Sequence, residues 1–180
     1  MILTEKELIT RCQQEDRVAQ KWLYDRYAAK MFSVCRRYVP RREDAEDVLI
    51  EAFFKIFENM NAFRFMGSFE GWMRRIVVNE ALMFLRKNRL LTVEPDASEL
   101  NTLEMSVQIG VEQQMAAQEI LKLLEKLPTG YRTIFNLYVI EGFKHQEIAD
   151  MLNISINTSK SQLILAKDRL RKLYILQFNT

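Results

Sequence analysis

RREDAEDVLIEAFFKIFENMNAFRFMGSFEGWMRRIVVNEALMFLRKN, residues Arg41 to Asn88, begins acidic, turns aromatic and ends basic. Within it Val48, Leu49, Ala52, Phe53, Ile56, Phe57 and Met60 recur at three-and-four spacing, which lines one face of a helix. Acidic residues crowd its first turns, where negative charge suits the helix dipole, and Pro40 marks the break before it. A second period from Phe69 to Lys87 runs through Trp72, Ile76, Val77, Ala81, Leu82 and Leu85. Upstream, Leu8, Trp22, Leu23, Tyr27, Met31 and Cys35 suggest two more helices. A strand-rich chain would need Gly, Asn-Gly or Pro turns at short intervals, and these are missing. The first part of the chain therefore reads as a bundle of about four helices.

Further on, the spacing predicts a helix from Met115 to Leu127 stopped by Pro128, and another from Tyr131 to Ile140 ended by Gly142. A third runs from His145 to Leu152. Asn153 tolerates a left-handed turn, and Ser155 is a natural N-cap for the last helix. A short helix, a tight turn and a longer basic helix make a helix-turn-helix pattern, pinned by Ile148, Ala149, Leu152, Ile154, Ile156 and Leu163. Between the halves, LTVEPDASELNTLEMSVQIGVEQQ sustains no long amphipathic period, and we expect a flexible acidic linker over 91–114. The fold class expected is all-α, with a helical bundle at 1–90, the linker, and a helix-turn-helix bundle at 115–180.

Composition narrows the function. Of 180 residues, 48% are hydrophobic and 28% charged, and no apolar run suffices for a bilayer span, which points to a cytoplasmic protein. A single histidine, His145, and two distant cysteines, Cys12 and Cys35, offer no zinc spacing or disulfide framework. None of the five glycines lies in a phosphate-cradling motif. Neither an enzyme, nor a cofactor, nor a metal site is expected.

The net charge of +2 hides a pattern, because residues 91–119 carry no Lys or Arg and the segments on either side are basic. In the last helix Thr158, Lys160, Ser161 and Gln162 lie near the N-terminal end, where side chains reach base edges and phosphates. In the first domain Arg74, Arg75, Arg86, Lys87 and Arg89 interleave with Phe63, Phe65, Phe69, Trp72 and Phe84, a combination that holds single strands by charge and stacking. Phe53, Phe57, Trp72 and Phe84 are assigned first to the core, and Phe65 and Met66 to an exposed loop. The acidic face at Glu43, Asp44, Glu46, Asp47, Glu51 and Glu58 repels DNA, so it serves either a basic protein partner or simple solvation.

DAEDVLIEAFFKIF followed by GWMRRIVVNEALMFLRK resembles domain two of bacterial sigma factors, in the small group called extracytoplasmic-function sigma factors. LPTGYRTIFNLYVIEGFKHQEIADMLNISINTSKSQLILAKDRLRK resembles their domain four. The resemblance covers roughly residues 5–89 and 115–174. It implies a non-catalytic subunit that binds core RNA polymerase and directs initiation at promoters. Asp44, Asp47, Glu51 and Lys55 would meet the clamp of the largest polymerase subunit, and domain four the flap of the second-largest. Phe63, Arg64, Phe65, Met66, Ser68, Trp72, Arg75, Asn79 and Arg86 would read the minus-ten element, duplex and single-stranded, with a flipped base captured near the loop. Ser155, Asn157, Thr158, Lys160, Ser161, Gln162 and Lys167 would read the minus-thirty-five element. An anti-sigma factor is a further implied partner. The chain departs from the family pattern at Ile50, where Gln is frequent, at Ser159, where Val is common, and at Gln162, where Arg is common. Two other readings account for part of the chain: a helix-turn-helix regulator with a sensing or dimerising bundle, and an α-helical adaptor.

Overall fold

The computed structural model describes residues 3–91 and 117–178. The chain divides into two compact units, Met1–Asn88 and Arg89–Thr180. The expected linker at 91–114, apart from its first residue, lies outside the described residues, as does the expected helix start at Met115.

The N-terminal unit contains α1 (Glu5–Gln13), α2 (Arg17–Tyr38), α3 (Arg42–Glu58), one 3-10 turn (Met60–Ala62) and α4 (Phe69–Lys87). Each helix starts where local chemistry satisfies its unpaired N–H groups. Thr4 and Glu7 form a reciprocal capping box on α1. The Asp16 carboxylate accepts from the N–H groups of Val18 and Ala19 at the start of α2, and from the Arg11 guanidinium at 2.7 Å. The Ala19 N–H, then Arg11, holds its carboxyl below the usual range. The core joins Leu23, Met31 and Val34 of α2 to Val48, Leu49, Phe53 and Ile56 of α3 and to Met73, Val77, Val78, Leu82 and Leu85 of α4. Burying each large apolar side chain stabilises by about 1.5–3 kcal/mol over leaving it in water. Cys12 and Cys35 are buried here, and burial pushes their thiols up to about 11 and about 12. Both are therefore protonated and pack as small apolar groups.

Of the four aromatics assigned to the core, Phe53 is buried, whereas Phe57, Trp72 and Phe84 are half-buried. They stand at the margins of their helices' apolar faces.

The C-terminal unit contains α5 (Ala117–Leu124), α6 (Thr129–Phe135), a turn of π-helix (Asn136–Ile140), α7 (His145–Leu152) and α8 (Ile156–Phe178). The helix expected over 131–140 instead begins at Thr129, after Pro128, and widens into the π turn at Asn136. The buried polar residues Arg132, Thr133 and Asn136 cluster around that widening. The Arg132 guanidinium donates to the carbonyls of Glu125 and Leu127, tying α6 back to the end of α5. Gly142 (φ +78°) makes the sharp exit. The turn between α7 and α8 follows its sequence signals. Asn153 is left-handed at φ 55°, and Ser155 Oγ accepts from the Thr158 N–H at 2.9 Å. Among the described residues there is no strand, and no helix is long and apolar enough to cross a membrane.

Candidate nucleic-acid interface

Phe63 ends the 3-10 turn and is only 6% exposed. Its ring lies 5.0 Å edge-on to Phe69 and 5.6 Å from Trp72, and Phe69 stacks on Trp72 at 5.6 Å. Tyr27 of α2 meets Phe69 edge-on from behind. The rings together make a packed platform. From it the chain turns outward through Phe65, at φ +56°, and Gly67, at φ +99°. A left-handed phenylalanine costs on the order of 1–2 kcal/mol, and here it leaves Phe65 42% and Met66 86% exposed. Arg64 is exposed beside them.

Two of the residues expected at the site have structural roles here. Phe63 is the floor of the loop and does not face outward. Ser68 is the N-cap of α4, its Oγ accepting from the Gly71 N–H at 3.2 Å. Farther along α4, Trp72, Arg75, Asn79 and Arg86 follow helical spacing along one stripe, with Trp72 half-buried and the other three exposed. The two acidic residues of α4 each pair with a lysine from a neighbouring helix. Glu70 lies 2.6 Å from Lys30, and Glu80 lies 2.7 Å from Lys55.

Lys55, expected at a partner surface, thus ties α3 to α4 in a partly shielded ion pair. Asp44 is half-buried and pairs with Arg41 at 3.6 Å. Asp47 and Glu51 do stand exposed, but Ile50 and Phe54 stand between and beside them at 61% and 59% exposure. The outer face of α3 is therefore a mixed acidic and apolar stripe. Phe54 was legible as one residue out of step with the inward period, although the sequence reading did not use it.

In the C-terminal unit the start of α8 exposes Asn157 and Lys160. Ser155 and Thr158 engage each other, their hydroxyl oxygens 2.8 Å apart, and the Ser161 hydroxyl donates to the Thr158 carbonyl. Gln162 turns inward. It is 3% exposed, in register with Ser159, Leu163, Ala166 and Leu170 on the inward face of α8. Lys167 is half-buried, Arg169 lies over the Tyr131 ring at 4.7 Å, and Asp168 pairs with Lys172. The outward positive face of α8 is accordingly narrower than its charge count, and centres on Lys160 and Arg171. Ile156 and Ile164 flank Lys160 on the surface; Ile156, expected as an apolar pin between the helices, is instead 37% exposed.

Two family descriptions match these two units in order: sigma-70 region 2 over residues 23–90, and sigma-70 region 4 over residues 117–170. The ECF RNA polymerase sigma-E factor of Escherichia coli (strain K12) is 30% identical over 176 residues, covering 92% of each chain. The chain belongs to the ECF sigma factors. The sigma-E factor of Haemophilus influenzae is 28% identical over 177 residues, covering 92% of this chain and 93% of that one. Among solved structures, CnrH in complex with the cytosolic domain of CnrY aligns at TM-score 0.50 and 20% identity, covering 92% of this chain and 94% of that one. The sigma factor RpoE of Bartonella quintana, in complex with the anti-sigma factor NepR, aligns at TM-score 0.53 and 19% identity, covering 89% and 98%. Both support the helical fold. As an ECF sigma factor, the protein is a non-catalytic, promoter-directing subunit of RNA polymerase.

Proposed function

We propose that this sigma factor reads promoters with two separate surfaces, one in each unit. The N-terminal unit, residues 1–90, takes the minus-ten element. The loop bearing Arg64, Phe65 and Met66 captures an unstacked base of the non-template strand, and the Trp72, Arg75, Asn79 and Arg86 stripe follows the backbone. The observation that carries this reading is the outward projection of Phe65 and Met66 from a buried aromatic platform. Adjacent exposed apolar side chains beside a packed aromatic cluster offer a surface on which a base can stack. The C-terminal unit, residues 115–180, takes the minus-thirty-five duplex through Asn157, Thr158 and Lys160. Residues 91–114 connect the two.

The outer face of α3 docks on the polymerase clamp, with Asp47 and Glu51 meeting basic groups while Ile50 and Phe54 bury apolar area between them. The C-terminal unit meets the flap of the second-largest subunit. An anti-sigma factor that covers these surfaces would keep the protein inactive; the Bartonella sigma factor RpoE was solved with an anti-sigma factor, NepR. The protein would act in the cytoplasm, with the polymerase.

The test is reconstitution of the full-length chain with core RNA polymerase, followed by selection of promoters from random DNA. Enriched sequences with two separated elements, and initiation downstream of them, are expected. Active core that gains no initiation, or enrichment of a single uninterrupted site, would exclude this function.

A further inference from the structure

Gln13 is the last residue of α1, and its side-chain Nε2 donates to two main-chain carbonyls at once, those of Met60 and Phe63, each at 3.2 Å. Those carbonyls bracket the 3-10 turn from which the recognition loop departs. Both are acceptors only, so the amide has to present its NH2 and not its oxygen. The bond reaches across 47 and 50 residues of sequence and is no product of local turn geometry.

A second tie runs from the same helix. The Tyr27 hydroxyl donates to the Glu5 carboxylate, and the Tyr27 ring supports Phe69. Burial first, then Glu5, pushes the Tyr27 hydroxyl up to about 12, so it remains a donor throughout the neutral range. Helix α1 is itself well fixed by its capping box, by buried Leu8, Ile9 and Cys12, and by the Arg11–Asp16 pair. It therefore grips the platform at both ends, at the turn before Phe63 and, through Tyr27, at Phe69. The region 2 match begins only at residue 23, beyond this helix.

We infer that Gln13 is a positioning residue for the recognition loop. By holding the Met60 and Phe63 carbonyls it sets the direction in which Phe65 and Met66 leave the platform, and so how selectively an unstacked base is taken. This rests on the loop being the minus-ten reader. If the amide is lost, the Phe63 carbonyl loses this donor and the Met60 carbonyl keeps only the Phe63 N–H, so the turn holds its own backbone bonds but is no longer tied to α1.

Three substitutions separate hydrogen bonding from packing, because all keep good helix formers of similar length. Gln13→Met fills the space without a donor, Gln13→Lys supplies donors and no acceptor, and Gln13→Glu sets a carboxylate against two carbonyls. Each full-length protein, with Phe65→Ala as a loop control, is assembled with core polymerase. Its affinity is then measured for forked duplexes of a selected promoter that differ in one unpaired base. Affinity for core and thermal midpoint are recorded in parallel.

Discrimination between the best and worst base is expected to fall about tenfold in Gln13→Met, the factor set by ~1.4 kcal/mol and so by one or two hydrogen bonds. It should fall further in Gln13→Glu and recover substantially in Gln13→Lys, with core affinity unchanged throughout. Equal losses in all three variants that track the thermal midpoint would reduce Gln13 to packing. Full discrimination in all three, while Phe65→Ala abolishes it, would overturn the inference and leave the loop reading intact. Full discrimination in Phe65→Ala would overturn the loop reading itself, and the role of Gln13 with it.

Discussion

Ser159 Oγ lies 2.9 Å from Nδ1 of His145, joining the first turn of α8 to the first turn of α7. Ser159 is fully buried, and the His145 ring stacks on Tyr138 of the π turn at 4.4 Å. One imidazole thus links three elements of the helix-turn-helix.

Ser159→Ala should destabilise the protein by about 1 kcal/mol, since it leaves an imidazole nitrogen without its partner. Urea unfolding of that variant, of His145→Phe and of the double variant gives the coupling between them. A coupling energy near zero would mean that the bond contributes nothing to holding the two helices.

The same imidazole predicts a dependence on pH. Burial first, then the positive charge of Lys160, lowers the pKa of His145 from its ordinary value. The unfolded chain then binds the proton more readily than the folded one. The stability associated with neutral His145 is therefore present above the ordinary histidine pKa, about 6.5, and is lost as pH falls from there through the folded pKa. His145 is the only histidine in the sequence, so its ring proton resonance should titrate unambiguously with a midpoint below that value. A midpoint at or above it would contradict the assignment, and His145→Asn should remove its share of the acid sensitivity.

Lys160→Ala and Gln162→Ala should part company. The first removes an exposed cation, so affinity for duplex promoter DNA should drop and the salt slope flatten by about 0.9, the share of one phosphate contact. The second removes a buried amide and should lower the unfolding free energy with little change in that slope. A reversed pattern would mean that α8 meets DNA in a different rotation.

Phe63 and Phe65 are two residues apart and should behave oppositely. Phe63→Ala empties a buried position against Phe65, Phe69 and Trp72 and should cost about 3 kcal/mol of stability. Phe65→Gly removes a ring that is partly in solvent and relieves a left-handed backbone, so stability should stay within about 1 kcal/mol of the original. Single-strand capture should nonetheless collapse. If Phe65→Gly binds the forked promoter as well as the original protein, the exposed ring does not take the base.

The helices were legible because their cause is local. The three-and-four spacing from Phe69 to Lys87 matches α4, and Asn153 and Ser155 act at the turn as their side chains dictate. The surroundings of the candidate site were harder to read, because each feature depends on something beyond the neighbouring residues. The inward turn of Gln162 follows from how α8 is rotated against the rest of the unit. The loss of Lys55 to Glu80 needed a partner from another helix. The left-handed Phe65 runs against the preference of a bulky side chain, and its ring rests edge-on against Phe63 of the platform. The grip of Gln13 on Met60 and Phe63 has no trace in spacing at all.

Cys12 and Cys35, protonated and sealed within the N-terminal unit, give that unit a pair of built-in clocks. A thiol reagent can reach Cys12 once α1 lifts away, whereas Cys35, in the long helix at the centre of the bundle, waits for wider opening. The ratio of the two labelling rates would time how often the first helix releases the recognition loop while the rest of the bundle stays shut.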